Sequence, residues 1–371
     1  MPAAATWVRR AVAIGIGAGS EPSMNPLGAL LGMELPVIQA PMAGTQDEAL
    51  AIAVAQAGGL GSMPCAMLDP AGLERALVRF AALPRPVNLN FFCHAMPAPD
   101  PVAMQRWQRA LQPYYREFGI EPPAPGVTGV RRPIDAATVG LLEAFRPKVL
   151  SFHFGLPEPS LLARIKGWGA VVLATATTLE EGRWLERRGA DIVIAQGIEA
   201  GGHRGQFLAG DLAGQPGTRE LVAALAGSLS VPVVAAGGIA SREDVRAMLD
   251  AGASAIQAGT AYLLCPEATT SAVHRAALRQ AGRDTTITNL FSGRPARGLV
   301  NRLMRELGPL SSLAPAFPWA SQSLAPLRSV AEARGLDDFS PLWSGTSPGA
   351  FPGLDAPGVT RRLAGMDRTG A

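Results

Sequence analysis

Cysteine, lysine and charge are all scarce in this chain of 371 residues, and each scarcity removes a class of function. Its three cysteines, Cys65, Cys93 and Cys265, stand far apart with no C-x-x-C spacing, which excludes a disulfide framework and a zinc knuckle. A reducing cytoplasm is the expected compartment. Lysine occurs only at Lys148 and Lys166, neither at a strand end in the manner of a Schiff-base residue, which argues against an aldolase. No pair of histidines has metal-ligand spacing and no G-x-S-x-G elbow is present, so neither a metal site nor a serine hydrolase is expected.

Charged residues make up 17% of the chain against 48% hydrophobic ones, a balance that excludes a disordered protein. The net charge of +3 is spread without blocks, so nothing calls for nucleic acid. Residues 49–68 lack charge, but Gly58, Gly59, Gly61 and Pro64 break the run, which reads as a helix followed by a strand and not as a membrane span. Residues 1–23 carry Arg9-Arg10 before a short Gly-rich apolar run and read as a disordered or misassigned extension ahead of the folded domain.

What the chain does have is a repeated strand-like run bounded by Gly, Pro or small residues. Eight such runs occur, at 37–41, 59–62, 87–91, 149–154, 170–175, 191–196, 231–236 and 255–259. Between them lie helical patterns with hydroxyl caps followed by carboxylates, Thr178-Leu-Glu-Glu181 and Ser241-Arg-Glu-Asp244, ending at Gly189 and Gly252. Near-continuous apolar strands such as Val-Val-Leu-Ala suit a parallel sheet buried on both faces. The prediction is an α/β fold, a (β/α)8 TIM barrel over 24–300, with an open doubly wound sheet as the alternative. The insertion 92–148 and the segment 301–371 are expected to build a smaller, mostly helical cap, with a polar tail after about Ser344.

In such a barrel the loops at the C-terminal strand ends form the active face. After the seventh and eighth strands come Gly237-Gly238 and Gln257-Ala258-Gly259-Thr260, loops whose backbone N–H groups suit a phosphate without help from Arg or Lys. At the end of the first strand, Pro41-Met42-Ala43 offers a small-residue floor for a flat ring. Asn90 and Gln196 end the third and sixth strands, where amides could bond to a cofactor. The loop after the sixth strand runs Gln196-Gly-Ile-Glu-Ala-Gly201-Gly202-His203-Arg-Gly205. Its imidazole could take a proton, give one, or stand as a cation opposite an anionic substrate. His203 is the catalytic candidate, and His153, closing the fourth strand, reads equally as pocket wall or core.

Together, Gln39-Ala-Pro-Met-Ala-Gly44, Asn90-Phe-Phe-Cys93, Ser151-Phe-His-Phe-Gly155, Glu199-Ala-Gly-Gly-His-Arg-Gly205, Ala236-Gly-Gly-Ile239 and Gln257-Ala-Gly-Thr260 resemble the nitronate monooxygenases. The likeness spans about 25 to 345 and extends to Asn289-Leu-Phe-Ser-Gly-Arg-Pro-Ala-Arg297 and Phe339-Ser-Pro-Leu-Trp343, similar to bacterial class I members. It implies non-covalent FMN and oxidation of alkyl nitronates, such as propionate 3-nitronate, by O2 to carbonyl compounds and nitrite. By the same resemblance His203 would act on the substrate, and Asn90, Gln196, Gly202, Gly238, Gly259 and Thr260 would contact FMN. Tyr114 and Tyr115 become candidates for the pocket wall. The implied partners are a small nitronate and O2, with the chain a monomer or homodimer. An FMN-dependent NAD(P)H-linked enoyl-thioester or quinone reductase on the same barrel is the alternative.

Overall fold

The computed structural model describes residues 26–123, 131–208, 212–280, 282–348 and 351–366; the extension read over 1–23 lies outside them. In chain order the first half comprises α1 (Pro26–Leu31), β1 (Val37–Gln39), α2 (Glu48–Gln56), β2 (Ser62–Pro64), α3 (Pro70–Ala81), β3 (Asn88–Phe92), α4 (Pro101–Phe118), α5 (Ala136–Phe145), β4 (Val149–His153) and α6 (Pro159–Gly167). There follow β5 (Val171–Ala176), α7 (Leu179–Arg187), β6 (Ile192–Gln196), β7 (Gly202–His203), α8 (Thr218–Ala226), β8 (Val233–Ala236), α9 (Arg242–Asp250) and β9 (Ala255–Ala258). The last part holds α10 (Ala272–Arg279), β10 (Thr285–Thr288), β11 (Ala296–Leu299), α11 (Arg302–Leu307), α12 (Ala320–Ala333) and α13 (Ala356–Leu363).

Eight parallel strands run in the order β1-β9-β8-β6-β5-β4-β3-β2, and a parallel bridge between Ile38 and Leu60 joins the two ends. The sheet is therefore a TIM barrel. Alternation along each strand sorts side chains into two cores. Ile38, Val149, Leu173, Ile192, Ile194 and Val234 point inward, where Leu27 and Leu31 of α1 join them. Val37, Leu150, Val172, Val193 and Ala235 point outward under the helices. The caps read from sequence form: Thr178 accepts from Glu181 N–H at 3.2 Å and Ser241 from Asp244 N–H at 3.1 Å.

The second strand begins later than its sequence suggests. Leu60 serves as the closing bridge, and Gly61 presses so closely on α2 that a Cβ there would lie 1.9 Å from the Ala51 carbonyl oxygen. Regular pairing with β3 starts only at Ser62.

Only the first half of the 92–148 insertion belongs to a cap. α4 packs on α12, and Trp107, Leu111, Tyr115, Leu303, Leu327 and Phe339 form their shared core. The second half, α5, lies between α3 and α6 as an ordinary barrel helix. A correction also applies to the C-terminal part. α13 is no tail: Ala356, Val359 and Leu363 are fully buried against the barrel, beside α2 and α9, where the helix after the eighth strand belongs. Three further strands that the sequence pattern did not announce, β10, β11 and β7, form a small antiparallel sheet over the mouth.

The Gly61 contact yields a stability prediction. Gly61→Ala should cost about 2 kcal/mol or more, because the obstructing atom is backbone. Gly167→Ala, whose new Cβ would meet nothing within 4 Å, should cost nothing. Urea denaturation of the two variants checks this, and equal midpoints would refute the steric argument.

Candidate active site

The mouth of the barrel opens into a cavity at the C-terminal strand ends, and inward-pointing residues grow polar as they approach it. In β3 and β4 the amide of Asn88 donates to the hydroxyls of Ser62 and Ser151, both at 2.9 Å, and Asn90 donates to Ser151 Oγ at 2.9 Å. This buried lattice fixes the Asn90 amide at the cavity wall. On the neighbouring side Gln46 organises the turn after β1: its Oε1 accepts from Gln39 Nε2 and Met42 N–H, each at 2.8 Å, and its Nε2 donates to the Ser62 carbonyl at 2.7 Å. Pro41, Met42 and Ala43 are held in this way as one wall of the cavity.

Opposite this polar lattice, Gly237, Gly238, Gly259 and Thr260 converge. Gly237 and Gly238 have φ of +124° and +68°, which a side chain rarely adopts, and a Cβ on Gly237 would approach Thr218 Oγ1 to 2.8 Å. Gly201 is fixed by contact: a Cβ there would lie 2.5 Å from Gly345 N. Gly345 in turn donates its N–H to Thr260 Oγ1 at 2.9 Å, and it lines the cavity together with Ser347 and Trp343. The expected tail after Ser344 is thus part of the wall. Beside these loops Gln257 is a cavity residue whose Oε1 is buried without a partner, while Ala258 lies next to it.

Gln196 has a different primary task from the one its type suggested. Its Nε2 donates to the His203 carbonyl at 2.9 Å and its Oε1 accepts from Gly205 N–H at 2.8 Å, so both amide atoms hold the loop. His153 assists, with Nε2 at 3.2 Å from the same carbonyl and Nδ1 at 3.1 Å from Thr175 Oγ1. A carbonyl only accepts, so His153 carries its proton on Nε2 and receives the Thr175 hydroxyl proton on Nδ1. Arg204, fully buried, ties the loop from beneath through Gln196 O at 2.8 Å, Gly197 O and Gln215 Oε1 at 2.9 Å. Gly202 and His203 pair with Arg297 and Ala296 of β11.

The His203 ring, half-buried in the cavity wall, has Nε2 2.9 Å from Ser292 Oγ. Ser292 is close to the Arg294 carbonyl at 3.2 Å, the natural destination of its hydroxyl proton, which leaves its lone pairs for His203 Nε2–H. In that tautomer Nδ1 keeps its lone pair. Phe92, Phe154, Phe317 and Trp343 surround the ring with centroids 5.5 to 6.4 Å away. Burial in this aromatic shell, and then the charge of Arg131, hold its pKa well below the ordinary value near 6.5. Its surroundings therefore favour the neutral imidazole over the cation.

Of the seventeen sequence candidates, two lie elsewhere. Tyr114 and Tyr115 belong to the cap core, Tyr114 edge-on to Phe339 at 5.3 Å and Tyr115 donating its hydroxyl to the Ser323 carbonyl. They sit on the α4 face turned toward α12, away from the barrel mouth. Residues the sequence reading passed over include Arg131, Ser292, Phe317 and Gly345. The motif containing Ser292 was visible, but nothing in one sequence says which side chain of a loop meets a histidine 89 positions earlier.

Comparisons with known proteins agree with this picture. A family model described as nitronate monooxygenase matches residues 25–351. A nitronate monooxygenase of Pseudomonas aeruginosa is 42% identical over 343 residues, covering 90% of this chain and 96% of that protein. Another, of Paraburkholderia phytofirmans, is 37% identical over 340 residues, 90% of this chain and 92% of that one. A solved structure described as nitroalkane oxidase from Streptomyces ansochromogenes superposes with a TM-score of 0.82 at 37% identity, over 92% of this chain and 97% of that chain.

The histidines give a pH prediction. Burial lowers the pKa of His94 to about 4, of His153 to about 3 and of His274 to about 4, with His203 lowered as well. In the unfolded chain all four take up protons below about pH 6.5, whereas the folded protein resists doing so. Stability contributed by these groups is complete above that pH and is lost as pH falls toward 4. The urea midpoint should therefore be lower at about pH 5 than at about pH 7.5, and a level or rising midpoint would contradict the assignment.

Proposed function

The chain belongs to the nitronate monooxygenase family, and from that membership we propose that it is an FMN-dependent enzyme oxidising alkyl nitronates with O2 to carbonyl compounds and nitrite. The single observation that carries the reading is that His203, set in an aromatic wall, shares one cavity with a glycine-lined cradle. Bound FMN would supply the electron acceptor. The residues present fit it: Gly237, Gly238, Gly259 and Thr260, with Gly345 and Ser347 beside them, offer the close backbone approach a phosphate needs. The orphan Oε1 of Gln257 is an acceptor waiting for an N–H or O–H donor of a ligand. Pro41, Met42 and Ala43 give a flat ring an apolar wall.

For a nitronate, already an anion, no proton need be removed. His203 then orients the nitro oxygens and helps exclude water with Phe92, Phe317 and Trp343. For a neutral nitroalkane, the Nδ1 lone pair is the base that would accept the proton from the carbon next to the nitro group. Ser292 and the two donors to the His203 carbonyl keep that lone pair in one direction. Three unpaired cysteines support action in a reducing cytoplasm. Among the described residues no helix is long and apolar enough to cross a membrane.

The purified protein should show flavin absorbance and consume O2 with propionate 3-nitronate, releasing nitrite. His203→Ala should lower kcat/KM by about 100-fold or more. Absence of flavin, or a variant as fast as the wild type, would sink the proposal. NADH oxidation driven by an enoyl thioester or quinone, without nitronate turnover, would instead establish a reductase. Gly237→Ala should lower the FMN retained on gel filtration, because its backbone cannot keep φ near +124°; full retention would remove the 237–238 turn from the cofactor site.

A further inference from the structure

Among the described residues, one side chain in the cavity wall carries a formal charge: Arg131. Among the described residues no aspartate or glutamate lines the cavity, and burial of His203 disfavours its charged form. Arg131 stands within the 92–148 segment, in the connection from β3 just before α5, and the chain after it is tied to the barrel, where Ile134 donates its N–H to the Phe92 carbonyl at 2.8 Å. Its guanidinium has neither an ion pair nor a hydrogen bond among the described residues. The charge it feels most is another cation, Arg328. Other arginines near the site each hold at least one partner, although Arg294 Nε is itself buried without an acceptor. Arg204 bonds two carbonyls and a glutamine, Arg294 bonds the Gln206 carbonyl and stacks over Phe154, and Arg297 bonds the carbonyls of Ile198 and Thr285.

A guanidinium stays protonated across the working pH range, and a largely desolvated one without a partner is costly. The missing partner is then an anion that enters the cavity. Its place in the barrel says which. Around the closed strand order, β3 lies diametrically across from β8, so a residue leading out of β3 faces the glycine cradle from the far side. Arg131 is on the side of His203, on which it is the strongest charge. A cofactor phosphate in the cradle is therefore not its partner.

Building on the function proposed above, we propose that Arg131 binds the negative charge of the substrate and makes the cavity select ready-made nitronate anions over neutral nitroalkanes. His203 contributes hydrogen bonding and basicity, and Arg131 contributes charge. The two tasks that a single histidinium would otherwise combine are divided between two side chains.

The test uses flavin-loaded Arg131→Met and Arg131→Lys in O2-consumption assays with an alkyl nitronate and with the matching nitroalkane. Arg131→Met should raise KM for the nitronate by about 10- to 100-fold, the worth of a hydrogen-bonded charge, with a much smaller change in kcat. KM for the nitroalkane should stay within about threefold, and Arg131→Lys should recover part of the nitronate affinity. Nitrate, an inert planar anion, supplies a readout without turnover: it should perturb the visible flavin spectrum of the wild type and not of Arg131→Met. Equal losses on both substrates, an unchanged nitronate KM, or loss of flavin from Arg131→Met would overturn the assignment. Should Arg131→Met fail to fold, Arg131→Gln replaces it. A wild type that binds nitrate yet turns over no nitronate would fail the functional proposal while leaving the anion site intact; one that does neither fails both.

Discussion

One oxygen atom, the main-chain carbonyl of His203, is where the barrel takes hold of its reactive loop. It receives Gln196 Nε2 at 2.9 Å from the end of β6 and His153 Nε2 at 3.2 Å from the end of β4. The loop between residues 197 and 206 is rich in glycine and has little side-chain packing of its own, so without such anchors it would sample many conformations. With them, and with Arg204 knotted beneath, the imidazole is aimed by rigid strands and not by the loop. Asn90 and Gln196 sit at comparable strand ends, yet one is a wall and the other a clamp.

The electrostatics follow from that placement. Fastened among Phe92, Phe154, Phe317 and Trp343, the ring is desolvated, and nearby cations oppose a second proton. Among the described residues no carboxylate lines the cavity to offset this. Glu199, in the His203 loop, and Glu181, which bonds the chain just after it, are occupied elsewhere: Glu199 accepts from Thr218 N–H at 2.9 Å at the start of α8, and Glu181 from Thr177 and Phe207 N–H groups. Both serve as loop and helix-start acceptors, which keeps negative charge out of the mouth. A site meant for an anion gains as much from that exclusion as from any cation placed in it.

Much of this could be read from residue order alone, and the limits have physical causes. The eight strands were legible because a sheet covered on both faces needs uninterrupted apolar runs, and the helix starts at Thr178 and Ser241 because capping chemistry is local. The glycine loops and His203 announced themselves through residue types that ordinary loops do not need. Tyr114 and Tyr115 misled, since an aromatic pair in an insertion looks the same whether it faces a cavity or, as here, a partner helix such as α12. Arg131, Ser292 and Gly345 were illegible for the opposite reason. Their significance lies in contacts made across the fold, and a single chain records no trace of them.

The position of α13 has a consequence for how the molecule comes into being. Helix α13 fills the gap between α2 and α9, and Tyr262 bonds its Thr360 at 3.0 Å, while Gly345 and Ser347 complete the cavity. The barrel therefore cannot seal until α13 has been made, and every product that stops before it leaves the flank of α2 bare. Contacts between such distant positions form slowly, which leaves apolar surface on α2 uncovered for longer than a local contact would. Loss of α13 by a frameshift or by proteolysis during synthesis would uncover α2 and α9, far away in the chain, and not merely trim a surface helix.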